Sequence, residues 1–342
     1  MKSLSPSLLS LFITCSAIVS LHAQTRPASS ASGSITPSML QQIQAAQPEA
    51  TAAIRAITNA LTFNPIDDLA RNAANAADLD THFSIETPSQ SITDQKSSGR
   101  CWMFSGMNVL RADFALAHAD TLAVEFSQDY LFFFDQLEKS NLFLQGVIDC
   151  ADKPMDDTRV QFFFKTPLSD GGTFCGVADL AEKYGLMPKS IMPETYSSDN
   201  TSRLSRLLAS RLREMGLQLR QMVADGKKPT RLNEAKTAML TEVYQMLTLA
   251  FGTPPTEFTY AFADKHGRSR TEARTFTPQS FYQEFVGADL EHNYVMLMND
   301  PSRAYYKTYE IEYDRHVYDG DNWLYINLPV ERIKEMAIAS IK

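Results

Sequence analysis

Cysteine is scarce in this chain, four residues in 342, and tryptophan scarcer still, with two. No two cysteines form a Cys-x-x-Cys pair, which excludes the zinc-ribbon and dithiol redox readings. The six histidines are scattered, with no His-Glu-x-x-His and no acidic calcium loop, so no metal and no cofactor are expected. A Gly-x-Ser-x-Gly serine elbow is also missing. Basic residues are in deficit, 32 against 40 acidic, for a net charge of −8. An acidic chain argues against nucleic acid as a partner. What is present, 44% hydrophobic and 21% charged residues over 342 positions, suffices for a large core in two packed lobes or in one domain with an insertion.

The first 23 residues read as an export signal: Lys2, an apolar core from Leu8 to Leu21, and Ala23 before Gln24. Its removal takes away one positive charge, leaves no membrane segment, and places the product in the periplasm or outside the cell. It also removes Cys15, leaving Cys101, Cys150 and Cys175. An odd number of cysteines in an oxidising compartment leaves at least one thiol free. Cys101 is the natural candidate, while Cys150 and Cys175 are either paired or both free.

Residues 24–37, rich in Ala, Ser, Thr, Gln, Gly and Pro, form a disordered linker. From Met39 to Asn72 the apolar spacing predicts two or three packed helices, broken at Pro48 and Pro65. Ser127 is placed to cap a helix through the aromatic run ending at Phe134, and Phe162-Phe163-Phe164 reads as core. Residues 203–250 predict a helical hairpin split at Asp225–Pro229, its arginines a solvated face or a subunit contact. The segments 294–298, 305–313 and 323–327 predict antiparallel strands, and a last helix begins near Pro329.

One stretch carries chemistry. Ser97-Ser98-Gly99 leads into Cys101, and helical spacing starts at once with Phe104, Met107, Leu110 and Phe114. A thiol there meets the positive end of a helix, which favours ionised sulfur. Gln95 is within reach to donate its amide to an oxyanion. Against this, a lone cysteine before a helix is more often a small buried hydrophobe. Downstream, Gly171-Gly172 lies in a Gly-rich turn that lacks the Lys-Ser/Thr of a phosphate cradle. It either lets an extended backbone approach closely or is a structural turn alone.

The run from Ser91 to Arg111, with Gly99-Arg100-Cys101-Trp102 at its centre, resembles the active-site segment of papain-like cysteine peptidases, in the bleomycin hydrolase and bacterial aminopeptidase C branch. The likeness continues through Phe126–Phe133, Asp170-Gly171-Gly172, Glu182–Pro188, Phe276–Tyr282 and Asn299-Asp300-Pro301. It implies an α+β papain-like fold with a helical insertion and an incomplete β-lobe. The segments implied are a helical lobe over 38–200, the insertion over 201–290 and the opening of the β-lobe over 291–342. It further implies a thiol aminopeptidase acting on peptides, assembled as a homo-oligomer, a hexamer in this branch. Cys101 matches the nucleophile, Gln95 the oxyanion donor, Gly171 and Gly172 the substrate-pairing backbone, and Trp102 the residue packed behind the nucleophile. The branch's catalytic His and Asn lie beyond the helix that begins at Pro329, so the chain reads as truncated and inactive alone. His292, His266 and the Asn322-Trp323 pair are poor substitutes, because their surroundings match a non-catalytic part of the family. The alternative is a peptide-binding or assembly protein, or one half of a split peptidase completed in trans.

Overall fold

A computed structural model of the chain describes residues 33–342 apart from 73, 76–79, 81, 87–90, 119–121, 288, 291 and 292. The export signal and residues 24–32 of the linker lie outside the described residues, as does His292. The chain divides into two compact units, residues 1–82 and 83–342.

In the first unit, α1 (Pro37–Ala45) and α2 (Ala52–Phe63) each open on a threonine. Thr36 accepts the Met39 N–H and Thr51 that of Ile54, satisfying donors that a helix start leaves open. α3 (Ile66–Leu69) follows Pro65. The helices and their breaks fall where the apolar spacing puts them, but the expected packing does not: none of the three contains a buried residue. Helical spacing specifies a stripe; it does not supply the surface that covers it.

The second unit is built on α5 (Gln128–Asp149). Ser127 caps it, its hydroxyl accepting the Tyr130 N–H at 3.0 Å and donating to the Met192 carbonyl at 2.5 Å. α5 is buried on nearly every side, its charged Asp129, Asp135 and Glu138 included. α4 (Cys101–Ala117) packs against α7 (Phe174–Tyr184), and α7 in turn against α5. α6 (Thr158–Lys165) and α8 (Tyr196–Asp199) are short connectors. α9 (Thr201–Ala224) and α10 (Pro229–Phe251) form the predicted hairpin and add Leu208, Leu212, Val243, Leu247 and Phe251 to the same hydrophobic core. The α9 arginines are not simply solvated. Arg213 donates to the carbonyls of Phe164 and Lys165, and Arg220 to those of Cys150 and Lys153, so cations meet the carbonyl-rich ends of α6 and α5. Within the Phe162–Phe164 run, Phe163 is buried and Phe162 exposed.

The stretch 201–290, read as a helical insertion, holds beyond its hairpin the antiparallel pair β1 (Phe258–Tyr260) and β2 (Arg274–Phe276), then α11 (Pro278–Phe285). Strands of three residues are too short to show a period. Their phenylalanines join Phe262, Phe281 and Phe285 in an aromatic cluster against Phe114 at the far end of α4.

The last sheet has the order β3-β5-β4, with β3 at Leu297–Met298, β4 at Lys307–Ile311 and β5 at Trp323–Asn327. β4 and β5 are antiparallel as expected, but β3 runs parallel to β5. Asn327 is the reason. Its fully buried side chain accepts the Asp300 N–H and donates to the carbonyls of Asp300, Arg303 and Ala304, which fastens the turn after β3 and sends β4 to the opposite edge. α12 (Val330–Ser340) follows and has no buried residue.

Gly185 closes α7 at φ +76°, ψ −169°, a region that side chains other than hydrogen rarely enter. A Cβ there would stand 2.2 Å from the Pro278 carbonyl carbon, next to the Leu186-to-Pro278 backbone bond. Gly185→Ala is therefore expected to cost more than about 2 kcal/mol in urea unfolding. Gly226→Ala, at φ +69° in open space, shares the strain but not the clash and should cost less.

Candidate active site

The Gln95–Cys101 loop is held by a sequence of local bonds. Asp94 accepts the Lys96 N–H at 2.8 Å, and its other oxygen meets Lys96 Nζ at 2.7 Å, bracing Lys96 at φ +53°. Gln95 Nε2 donates to the Ser98 carbonyl at 2.5 Å, while the Ser98 hydroxyl donates back to the Gln95 carbonyl at 2.6 Å. Ser97 donates its N–H to the Asp199 carbonyl. Because a primary amide has two N–H bonds, Gln95 keeps one beyond the bond to Ser98.

Cys101 is the first residue of α4 and is exposed. Among the described residues its Sγ has one hydrogen-bond partner, the Gly99 carbonyl at 4.0 Å. Arg100, just before it, is fully buried, with its guanidinium 2.8 Å from Glu194 and 5.1 Å from the ring centres of Phe104 and Phe132. Asp129, fully buried, lies within electrostatic reach of both Arg100 and Glu194. Burial pushes Asp129 up to about 8 against the opposing hydrogen bond of Ser198, with Glu194 adding to the rise.

Asp170 joins the loop to the glycine turn. One carboxylate oxygen accepts the Gly99 N–H at 2.7 Å and the Thr201 hydroxyl at 2.5 Å. Its backbone carbonyl accepts the Trp102 indole N–H at 2.9 Å. Gly99 has no space for a Cβ, which would meet the Asp170 carboxylate at 2.4 Å. Gly171 and Gly172 are thereby brought alongside the Cys101 end of α4.

Sequence reasoning missed what lies behind those glycines. The His316 ring is buried 4.5 Å from Trp102, centre to centre. A Cβ on Gly172 would fall 2.3 Å from that ring, and one on Gly176 would fall 2.4 Å from it. His316 Nδ1 donates to Asp135 at 2.5 Å, and Lys139 holds the other Asp135 oxygen at 3.0 Å. Lys139 also donates to the carbonyls of Ser169 and Gly171, so this cluster fastens the glycine turn from behind. The one signal in the sequence was a histidine two residues ahead of a Tyr-Asp-Gly turn, with nothing to say where it lands.

Cys150 is buried and Cys175 half-buried, and both are free. Burial pushes both thiols up, leaving Cys101 as the exposed thiol among the described residues. Asn322 accepts the Tyr313 N–H and donates to Glu310, a role within the β4–β5 hairpin, and His266 sits in the Asp264–Gly267 turn.

Burial, helped by Lys139, pushes the His316 imidazole below its ordinary 6.5 despite the pull of Asp135. For Asp135, burial acts upward, but Lys139 and His316 outweigh it and hold the carboxyl below 3.8. As pH falls through 6.5 the unfolded chain takes up the histidine proton before the folded one does, so stability falls. The expected slope approaches about 1.4 kcal/mol per pH unit below pH 6.5. Urea unfolding of the wild type and His316→Gln at pH 7 and pH 5.5 checks it: the gap between them should narrow at the lower pH.

Residues 34–342 match the model of the Peptidase C1-like family. The chain is 39% identical over 290 residues to aminopeptidase C of Lactobacillus delbrueckii subsp. lactis, covering 83% of this chain and 63% of that protein. It is 36% identical over 257 residues to human bleomycin hydrolase, covering 73% and 56%. The crystal structure of PepW from Lactobacillus rhamnosis superposes with a TM-score of 0.83 at 36% identity, over 91% of this chain and 69% of that one. The chain thus spans less than two thirds of the length of the aminopeptidase C it matches. With an exposed cysteine opening α4, a glutamine loop before it and a glycine turn fastened beside it, the chain belongs to the Peptidase C1-like family, in its aminopeptidase C and bleomycin hydrolase branch, and has a papain-like α+β fold.

Proposed function

We propose that the chain carries the nucleophile half of a thiol aminopeptidase that acts on peptides after export. The observation that carries this reading is the exposure of Cys101 at the first position of α4. In the proposed reaction the Cys101 sulfur adds to the carbonyl carbon of the substrate's first peptide bond. The oxyanion takes donors from the second Gln95 N–H and the start of α4. The carbon–nitrogen bond then breaks as the leaving amine gains a proton, leaving an acyl-enzyme that water hydrolyses. Gly171 and Gly172 offer an extended substrate a backbone with no side chain in the way.

The proton donor is not His316. Its Nδ1 is committed to Asp135, and Trp102 with two glycines encloses the ring. We place the imidazole and its orienting asparagine outside the described residues, and on this reading the described residues alone are inert. Loss of a general acid–base costs about 10²- to 10⁴-fold in rate. A reading as one half of a peptidase completed in trans is compatible with α12, where Val330, Met336 and Ile338 are exposed, as is Ile341 just beyond it. Such exposed apolar side chains fit cover by further polypeptide, in the same chain or in trans.

Assay of the purified chain on an aminoacyl nitroanilide, with and without added imidazole, tests this. The expected result is blank-level turnover without imidazole, measurable turnover with it, and none in Cys101→Ala under either condition. Full turnover without added base, lost in Cys101→Ala, would overturn the missing-base reading. Absence of any Cys101-dependent turnover with imidazole present would overturn the nucleophile assignment.

A further inference from the structure

Away from Cys101, a cleft of about 800 Å³ opens between the middle of α4, residues 122–125, residues 188–193 and the β1 end of the aromatic cluster. Three of its lining residues are cationic, Arg111, Lys189 and Lys265, and one is anionic, Glu125. Glu125 is already engaged, accepting from Lys189 Nζ at 2.6 Å. That leaves a surplus of positive charge inside a chain of net −8.

Arg111 is the unusual member. It is 5% exposed, and its Nη2 donates to the carbonyl and hydroxyl of Ser91 at 3.0 and 2.8 Å. Its Nη1 is buried with no hydrogen-bond partner among the described residues. Burial lowers its basicity, and Glu125 is the acid that opposes this, so its local countercharge is one already shared with Lys189. A buried guanidinium nitrogen left open is costly, and a small rotation of the side chain toward the cleft would bring it within reach of an oxyanion. Guanidinium suits oxyanions because its planar fork presents parallel N–H donors. Lys265 is exposed at the rim, while Ser91, Ser190 and Tyr260 add hydroxyls.

We propose that this cleft is a binding site for a phosphomonoester-class dianion, held between Arg111, Lys265 and the hydroxyls of Ser91 and Ser190. The surplus charge matches a dianion, and the volume exceeds that of a bare phosphate, leaving space for an organic group against the Tyr260 side. The site also touches the peptidase loop from behind. Ser91, which Arg111 already grips, lies four residues ahead of Gln95, and Asn108 on the same helix donates to Thr93 at 2.7 Å. An anion on Arg111 therefore stiffens the strap that leads into the Gln95 loop.

The probes are inorganic phosphate and phenyl phosphate, each compared with sodium chloride at equal ionic strength, on the full chain. The expected result is a melting temperature raised by roughly 2–4 °C and slower amide exchange over residues 91–98. In Lys265→Ala, a rim change that spares the core, the apparent affinity should fall roughly tenfold. Arg111→Gln should abolish the shift; if it fails to fold, Lys265→Ala decides. Stabilisation by phenyl phosphate alone supports the site and assigns a role to the organic group. No stabilisation by either probe beyond that of chloride, or equal stabilisation in Lys265→Ala, overturns the proposal. None of these readouts depends on peptidase activity.

Discussion

Asp170 makes three attachments on which the arrangement of the cleft depends. Its carboxylate takes the Gly99 N–H and the Thr201 hydroxyl, and its carbonyl takes the Trp102 indole. Those bonds join the loop before the proposed nucleophile, the start of α9 and the glycine turn into one body. A charged acceptor strengthens each contact it receives, and removing it would leave the Gly99 N–H without its partner. The carboxylate also explains why Gly99 is glycine, since no Cβ fits against it.

Beneath that body the interior is unusually rich in charge. Arg100 with Glu194 on one side and Asp135 with Lys139 on the other are both taken out of water, close to the start of α4 and to the glycine turn respectively. Buried ion pairs gain little net stability, because desolvation opposes attraction, but each fixes the direction of the backbone it touches. Arg100 does so for the first residue of α4, and Lys139 does so for Gly171. Rings of Phe104 and Phe132 around Arg100 offset part of the desolvation.

Much of this was legible in the amino-acid order. Ser127 announces α5, Asp225–Pro229 breaks the long hairpin, and the small residues before Cys101 mark the loop, because in each case the cause lies within a few residues of the effect. What was not legible depends on distant partners. The direction of β3 is decided by the Asn327 side chain, almost thirty residues further on. The exposure of α1 and α2 could not be read from spacing, which is the same for a covered and an uncovered stripe. His316 was invisible for the same reason: its seat is a gap left by Gly172 and Gly176, on the far side of the sequence.

That seat has a consequence for the disordered chain as well as for the folded one. Two glycines that make space for an imidazole also widen the range of conformations their segment explores before folding, at roughly 0.5–1 kcal/mol each relative to alanine. The wall of the cleft is thus assembled from the loosest part of the unfolded chain and is held by ring contacts and one buried hydrogen bond formed late in sequence. Filling either glycine would stiffen the free segment but evict the ring. The opposing effects tie the entropy of residues 172–176 to the enthalpy of a residue some 140 positions away, and neither can be altered alone.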